Sequence, residues 1–125
     1  MDPRVFKYKA ELINRTEMFF DGEVSMCVIP ENESFDIGTL YNPGPLILSE
    51  MLMVKGVKVA FALKTYRNKA TVAIRCTHGT NVADTIALKY GGGGHPYAAG
   101  FRVNNWDGNL PRLKKEIITL VGKLI

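Results

Sequence analysis

The chain has 125 residues and a mass of 13.9 kDa, enough for one domain with a sizeable core and too little for two ordinary ones. Apolar residues make up 46% and charged residues 22%, which excludes a disordered or low-complexity chain. The net charge of +4 is unevenly spread. Positions 1–50 hold 4 basic and 9 acidic side chains (net −5), and positions 51–125 hold 12 and 3 (net +9). An anionic partner is therefore expected at the C-terminal part, with a basic surface that binds nothing as the competing reading.

In chain order, Val5, Tyr8, Leu12 and Phe19 recur at helical spacing and predict a helix over residues 4–20 that ends at Asp21-Gly22. Residues 23–29 alternate, with Val24, Met26 and Val28 on one face of a strand. Residues 30–34 are a polar break. Pro45 suits the first turn of a helix over residues 45–54, closed by Gly56. Residues 57–63 and 71–76 alternate as strands, and the short turn between them predicts an antiparallel hairpin. In the second strand Val72 and Ile74 share one face, and Thr71, Ala73 and Arg75 the other.

Asn81 is placed to cap a helix over residues 82–90 with Val82, Ala83, Ile86, Ala87 and Tyr90 as its apolar stripe. Four glycines follow, 91–94, then His95-Pro96-Tyr97-Ala98-Ala99-Gly100. Pro96 is placed at N1 of a short helix over residues 96–99 with His95 near its N-cap. Residues 101–103 read as a short strand. Asn109 caps a last helix, with Leu110, Leu113, Ile117, Val121 and Leu124 as its stripe. Helices alternating with strands, plus one hairpin, predict a single α/β domain with a mixed sheet flanked by helices.

Cys27 and Cys76 are too few for a disulfide framework or a four-cysteine zinc site, and both are expected in the core. The start, Met1-Asp2-Pro3-Arg4, has no signal-peptide apolar run. The most apolar stretch, 46–54, is interrupted by Ser49 and Glu50 and falls well short of the roughly 20 residues of a membrane span. A cytoplasmic protein without a membrane partner is expected.

The glycine run is the most informative stretch. Ordering four glycines is costly, so such a run is expected where the backbone needs positive φ or must touch a ligand. Glycine N–H groups beside a helix N-terminus would suit an anion. No Lys-Ser or Lys-Thr follows, so this is not a Walker loop, and the run follows a helix, which excludes a Rossmann turn. A flexible turn and a histidine bonded to a backbone carbonyl are the structural alternatives.

Gly92-Gly93-Gly94-His95 followed by Ala98-Ala99-Gly100 resembles the C-terminal signature of DHH-family phosphoesterases, in their DHH-associated domain of the first type. That family includes oligoribonucleases, single-strand-specific exonucleases and cyclic-dinucleotide phosphodiesterases. The resemblance covers about residues 44–103. It implies that Gly92, Gly93, Gly94 and His95 belong to a substrate-phosphate site. Arg75 matches the arginine of the family's Ser-Arg-Ser strand, with Ile74 and Cys76 in place of the serines. His78, in the loop after that strand, is a further candidate for phosphate binding, against the reading of an exposed bystander.

The family's catalytic part is a separate N-terminal domain with an Asp-His-His string and two divalent metals, usually manganese. No such string occurs here, the aspartates (2, 21, 36, 84, 107) are scattered, and His78 and His95 are the two histidines. The resemblance thus implies a substrate-binding domain with no catalytic residue or metal of its own. Manganese or magnesium would be held by the missing DHH domain, and short single-stranded nucleic acid or a nucleotide would be the ligand. Two alternatives stand beside it. One is a non-catalytic nucleic-acid-binding module of the type alanyl-tRNA synthetases carry. The other is an interaction domain that forms a homodimer through the stripe from Leu110 to Leu124.

Overall fold

The computed structural model describes residues 2–34 and 43–125; Asp36 lies outside them. The elements are α1 (Pro3–Arg15), β1 (Glu17–Phe19), β2 (Val24–Pro30), α2 (Glu31–Ser34), α3 (Pro43–Leu52), β3 (Val59–Thr65), β4 (Lys69–Cys76), α4 (Ala83–Leu88), β5 (Gly93–His95), β6 (Ala98–Asn104) and α5 (Leu110–Gly122). The strands form one six-stranded sheet in the order β1-β2-β3-β4-β6-β5. β2 and β3 are parallel and the other pairs antiparallel. This is the expected single α/β domain with a mixed sheet, and β3–β4 is the expected hairpin.

Two cores lie on opposite faces of the sheet. On one, α4 and α5 bury Ala83, Ile86, Leu113, Ile117 and Val121 against Phe61, Val72, Ile74 and Phe101. On the other, α1 and α3 bury Val5, Leu12, Ile47 and Leu48 against Cys27, Ile29, Ala60 and Ala62. Both cysteines are buried and free, as expected. Of the α5 stripe, Leu113, Ile117 and Val121 are buried in this chain's own core. No helix among the described residues is long and apolar enough to cross a membrane.

Four local expectations are corrected. The first helix stops at Arg15 and residues 17–19 form β1, paired antiparallel to β2. The Phe19 spacing mimicked a helical period, but Phe20, Asp21 and Gly22 take positive φ and turn the chain back onto the edge of β2. Residues 31–34, read as a polar break, form the single helical turn α2. Asn81 does not cap α4, whose N-cap is Val82 without a side-chain bond; Asn109 does cap α5, accepting from the Arg112 N–H at 3.1 Å. No helix forms over residues 96–99. Pro96 and Tyr97 are the two-residue turn of a β5–β6 hairpin in which His95 faces Ala98. Ala99, Phe101 and Val103 alternate into the core, so period 2 and pairing with β4 outweigh the helix-start pattern.

Candidate functional site

The helices cover the two faces unequally. α1 packs on β2 and α3 packs on β2, β3 and β4, but neither makes substantial contact with β5 or β6. Among the described residues, no helix covers the β6–β5 end of that face or the adjoining part of β4. A concavity of about 410 Å³ lies there, lined by Lys64, Thr71, Ala73, Arg75, Gly93, Gly94, Ala98 and Gly100, with Gly44 and Pro45 of the first turn of α3 as one wall. Among the described residues no carboxylate lines it. The positive end of the α3 dipole lies at that wall.

Sheet register arranges these residues in rows, because directly paired residues share a face. Ala62, Ala73, Gly100 and Gly93 form one row, a floor without bulky side chains. The row on one side runs Ala60, Arg75, Ala98, His95. Arg75 and His95 thus share a face two strands apart, roughly 9–10 Å between backbones, and Ala98 between them carries only a methyl. The row on the other side runs Lys64, Thr71, Arg102.

The Arg75 guanidinium donates to the Ile74 carbonyl at 2.9 Å, and no described carboxylate pairs with it. Its remaining donors suit a bidentate oxyanion. Burial pushes the Lys64 ammonium below its ordinary value, since desolvation disfavours the charged form.

The glycines separate by role. Gly91 (φ +78) is the left-handed residue that ends α4: its N–H bonds the Leu88 carbonyl and the Gly92 N–H bonds the Ala87 carbonyl, a Schellman arrangement. A Cβ on Gly92 would lie 2.2 Å from the Gly100 carbonyl oxygen. One on Gly94 would lie 2.6 Å from that of Ala98, with φ +144 besides. Gly93 alone has open space where a Cβ would point and no positive φ. The fold therefore requires Gly91, Gly92 and Gly94; Gly93 is the one whose missing side chain leaves pocket floor.

Of the candidates read from sequence, Arg75, Gly93 and Gly94 line the pocket and His95 sits at its rim in the Arg75 row. Gly92 packs against Gly100 and Phe101 instead. His78 is exposed beyond the hairpin turn, stacked on Tyr97 with ring centroids 5.8 Å apart. Lys64, Thr71, Ala73 and Gly100 were missed. The alternation that put Thr71 and Ala73 on the Arg75 face was the available signal for those two; Lys64 and Gly100 needed the cross-strand register.

The described residues hold no group of three or more His, Cys, Asp or Glu side chains able to hold a metal. They do not fit a two-metal hydrolytic centre, which needs converging carboxylates and imidazoles.

The sequence profile of the DHHA1 domain matches residues 45–123. The chain belongs to the DHHA1 domain family. No curated protein matches the chain by sequence. Among solved structures, an exopolyphosphatase-related protein from Bacteroides fragilis superposes with a TM-score of 0.81 at 14% identity, over 98% of this chain and 35% of that one. A pGpG-specific phosphodiesterase from Vibrio cholerae gives 0.69 at 17% identity, over 96% and 39%. The C-Ala domain of Aquifex aeolicus alanyl-tRNA synthetase gives 0.55 at 18% identity, over 87% and 96%. These similarities concern the fold of the DHHA1 domain. The chain spans little more than a third of the first two.

Proposed function

We propose that this DHHA1 domain holds a substrate phosphate for a metal-dependent DHH-type phosphoesterase, in the pocket on the bare end of its sheet. The metal-bearing residues, for manganese or magnesium, would come from a DHH domain beside it. The substrate class would be short single-stranded oligonucleotides or related phosphate esters, as for oligoribonucleases and single-strand exonucleases, in the cytoplasm. The observation that carries the reading is Arg75. It lines a pocket in which no described carboxylate stands, no described carboxylate pairs with it, and it shares a row with His95 across the methyl of Ala98. A phosphate over Ala98 lies within reach of both side chains. Arg75 supplies a fixed charge and a planar fork, and His95 a ring nitrogen from the second strand. Family membership and the match to phosphoesterase folds support the same reading.

The test is a double-mutant cycle on nucleoside monophosphate binding. Arg75→Ala and His95→Ala should each weaken binding about tenfold, as loss of a hydrogen bond to a charged group does. The double variant should lose less than the product, because one phosphate is shared. Additive losses, or loss of folding stability in His95→Ala with no effect of Arg75→Ala, would make the hairpin a fold element only. The chain alone, supplied with manganese, should not turn over a dinucleotide. Chelator-sensitive turnover would refute the division of labour.

A further inference from the structure

The sheet ends differently at its two edges. β5 borders the pocket, whereas β1, at the opposite edge, pairs with β2 alone among the described strands. An edge strand turns half of its backbone N–H and C=O groups away from the sheet. A groove lies on each side of this edge. Met18 pairs with Ser25, and Ser25 alternates with Cys27 and Ile29 of the α1–α3 core, so Met18 stands on that face. There it lines a groove of about 380 Å³ with Ile13, Ile47, Met51 and Val54. Ile13, Met18 and Val54 are 48%, 46% and 50% exposed. The polar side chains of this groove are already engaged: the Thr16 hydroxyl donates to the Leu12 carbonyl at 2.8 Å, and Glu50 pairs with Lys9 at 2.7 Å. Glu17 and Phe19 pair with Met26 and Val24 of the other core and stand on the α4–α5 face. They line a groove of about 450 Å³ with Leu110, Lys114, Lys115 and Ile118 of α5. Lys114 pairs with Glu17, and no described carboxylate pairs with Lys115.

We infer that β1 is a strand-addition site for an extended segment of a partner protein in which apolar side chains alternate with acidic ones. A strand added beside β1 continues the pleat, so its successive side chains fall on alternate faces of the sheet. One set enters the groove of Ile13, Met18 and Val54, where exposed apolar surface is buried. The other set lies over Phe19 and Ile118, where a carboxylate meets the Lys115 ammonium. Charge also selects the occupant. A second copy of this chain, adding β1 to β1 about a two-fold axis, would bring Lys114 and Lys115 of both copies to one face with the two Glu17 carboxylates as their acidic partners. An acidic strand meets no such excess of like charge. β1 has only three residues, so the added strand gains few backbone hydrogen bonds and depends on both grooves for its affinity and its register. The site lies at the sheet edge opposite the phosphate pocket and does not rest on the reading of that pocket.

The experiment is an amide chemical-shift titration of the 125-residue chain with short, terminally blocked peptides. The probes are an alternating leucine–glutamate peptide, its leucine–lysine counterpart, a scrambled peptide of the first composition, and the first peptide N-methylated at alternate backbone nitrogens. The leucine–glutamate peptide should bind most tightly and shift Glu17, Met18, Phe19, Lys115 and Ile118. Scrambling or N-methylation should weaken it, because each removes one requirement of an added strand. Lys115→Glu should weaken the leucine–glutamate peptide about two- to fivefold, the range of a surface ion pair, and strengthen the leucine–lysine one. Ile13→Glu and Val54→Glu, both at half-exposed positions, should each weaken the leucine–glutamate and leucine–lysine peptides about tenfold by placing a charge in the apolar groove. Phe6→Ser, at an exposed apolar position of α1 outside the groove, should change nothing and so separates the groove from general stickiness. Equal binding of the scrambled or N-methylated peptide would overturn strand addition. Indifference to Lys115→Glu would overturn the acidic partner, and no shift at β1 with any probe would overturn the site. A chain that sediments as a dimer, and as a monomer in Met18→Lys, would assign the edge to a second copy and overturn the inference as well.

Discussion

The two faces of the sheet are built from the same strands and serve opposite ends. Under α4 and α5 the face is closed: Val72, Ile74, Phe101 and the helix residues Ile86 and Ile117 are buried together, and the stacked rings of Tyr90 and Phe101, 4.2 Å between centroids, tie the end of α4 to β6. On the other face, among the described residues, α1 and α3 cover β2, β3 and part of β4 and leave β6 and β5 uncovered. The residues that the alternation of β4 and β6 brings to its bare end are small or polar: Thr71, Ala73, Arg75, Ala98, Gly100 and Arg102. Apolar side chains there would have needed a third helix to cover them, whereas small and cationic ones tolerate water and leave a concavity. Stability and the proposed binding thus fall to alternate residues of one strand.

The sharpest way to break this comparison is to mutate neighbours on β4. Ile74→Ala should cost about 3–4 kcal/mol in urea unfolding, since a fully buried side chain is removed from a packed face. Arg75→Ala, one residue on, should stay within about 0.5 kcal/mol. Comparable losses would mean that the bare face is structural.

The glycine hairpin sharpens the same contrast at smaller magnitude. Gly92→Ala drives a Cβ against the Gly100 carbonyl and Phe101 and should cost about 2–3 kcal/mol. Gly93→Ala meets open space and should change stability by about 0.5 kcal/mol or less, while narrowing the pocket floor and weakening monophosphate binding. Melting temperatures and a binding isotherm on both variants check this. Equal stability losses would remove the distinction between fold glycines and a pocket glycine.

The smallest effect lies on the α1 side. Arg15 bonds both Glu33 carboxylate oxygens at 2.6 and 2.9 Å, and the Tyr8 hydroxyl donates at 3.0 Å. Chiefly through Arg15, these bonds hold the Glu33 carboxyl below its ordinary value of 4.5 against the opposing effect of burial. A depressed carboxylate stabilises the fold above its unfolded value and loses that contribution as pH falls through its folded value. Stability should therefore drop by about 0.5–1 kcal/mol on acidification below pH 4.5, an amount typical of a pair near the surface, and Glu33→Gln should flatten that part of the curve. An unchanged acid limb in Glu33→Gln would show that the triad contributes nothing.

Much of this architecture was legible in the residues. The β3–β4 hairpin followed from two alternating runs, and the face shared by Thr71, Ala73 and Arg75 followed from period 2. What misled was local pattern overruled by pairing. Phe19 continued a helical period yet joins β1, because the open edge of β2 offers hydrogen bonds to residues 17–19. Pro96 after His95 looked like a helix start, yet β4 pairs with residues 98–104 and leaves Pro96 and Tyr97 as a turn. The glycines of the 91–94 run also have reasons of their own in the fold. Three of the four answer to a helix C-terminus or to close backbone approach, which neighbouring sequence alone does not reveal. The pocket itself depends on which face each helix leaves bare, a property of packing between elements far apart in the chain, so Lys64 and Gly100 were out of reach of any local signal.

The central claim is that ligand phosphate binds the bare end of the sheet. Its most direct test is an amide chemical-shift titration of the chain with a 5′-phosphorylated trinucleotide at low salt. The account predicts shifts at Thr71, Ala73, Arg75, Gly93, His95 and Gly100, fading as salt rises because phosphate contacts release counterions, with Leu113, Ile117 and Val121 on the covered face unmoved. Shifts centred on α4 and α5, or none near Arg75 and Gly93 at millimolar ligand, would contradict it.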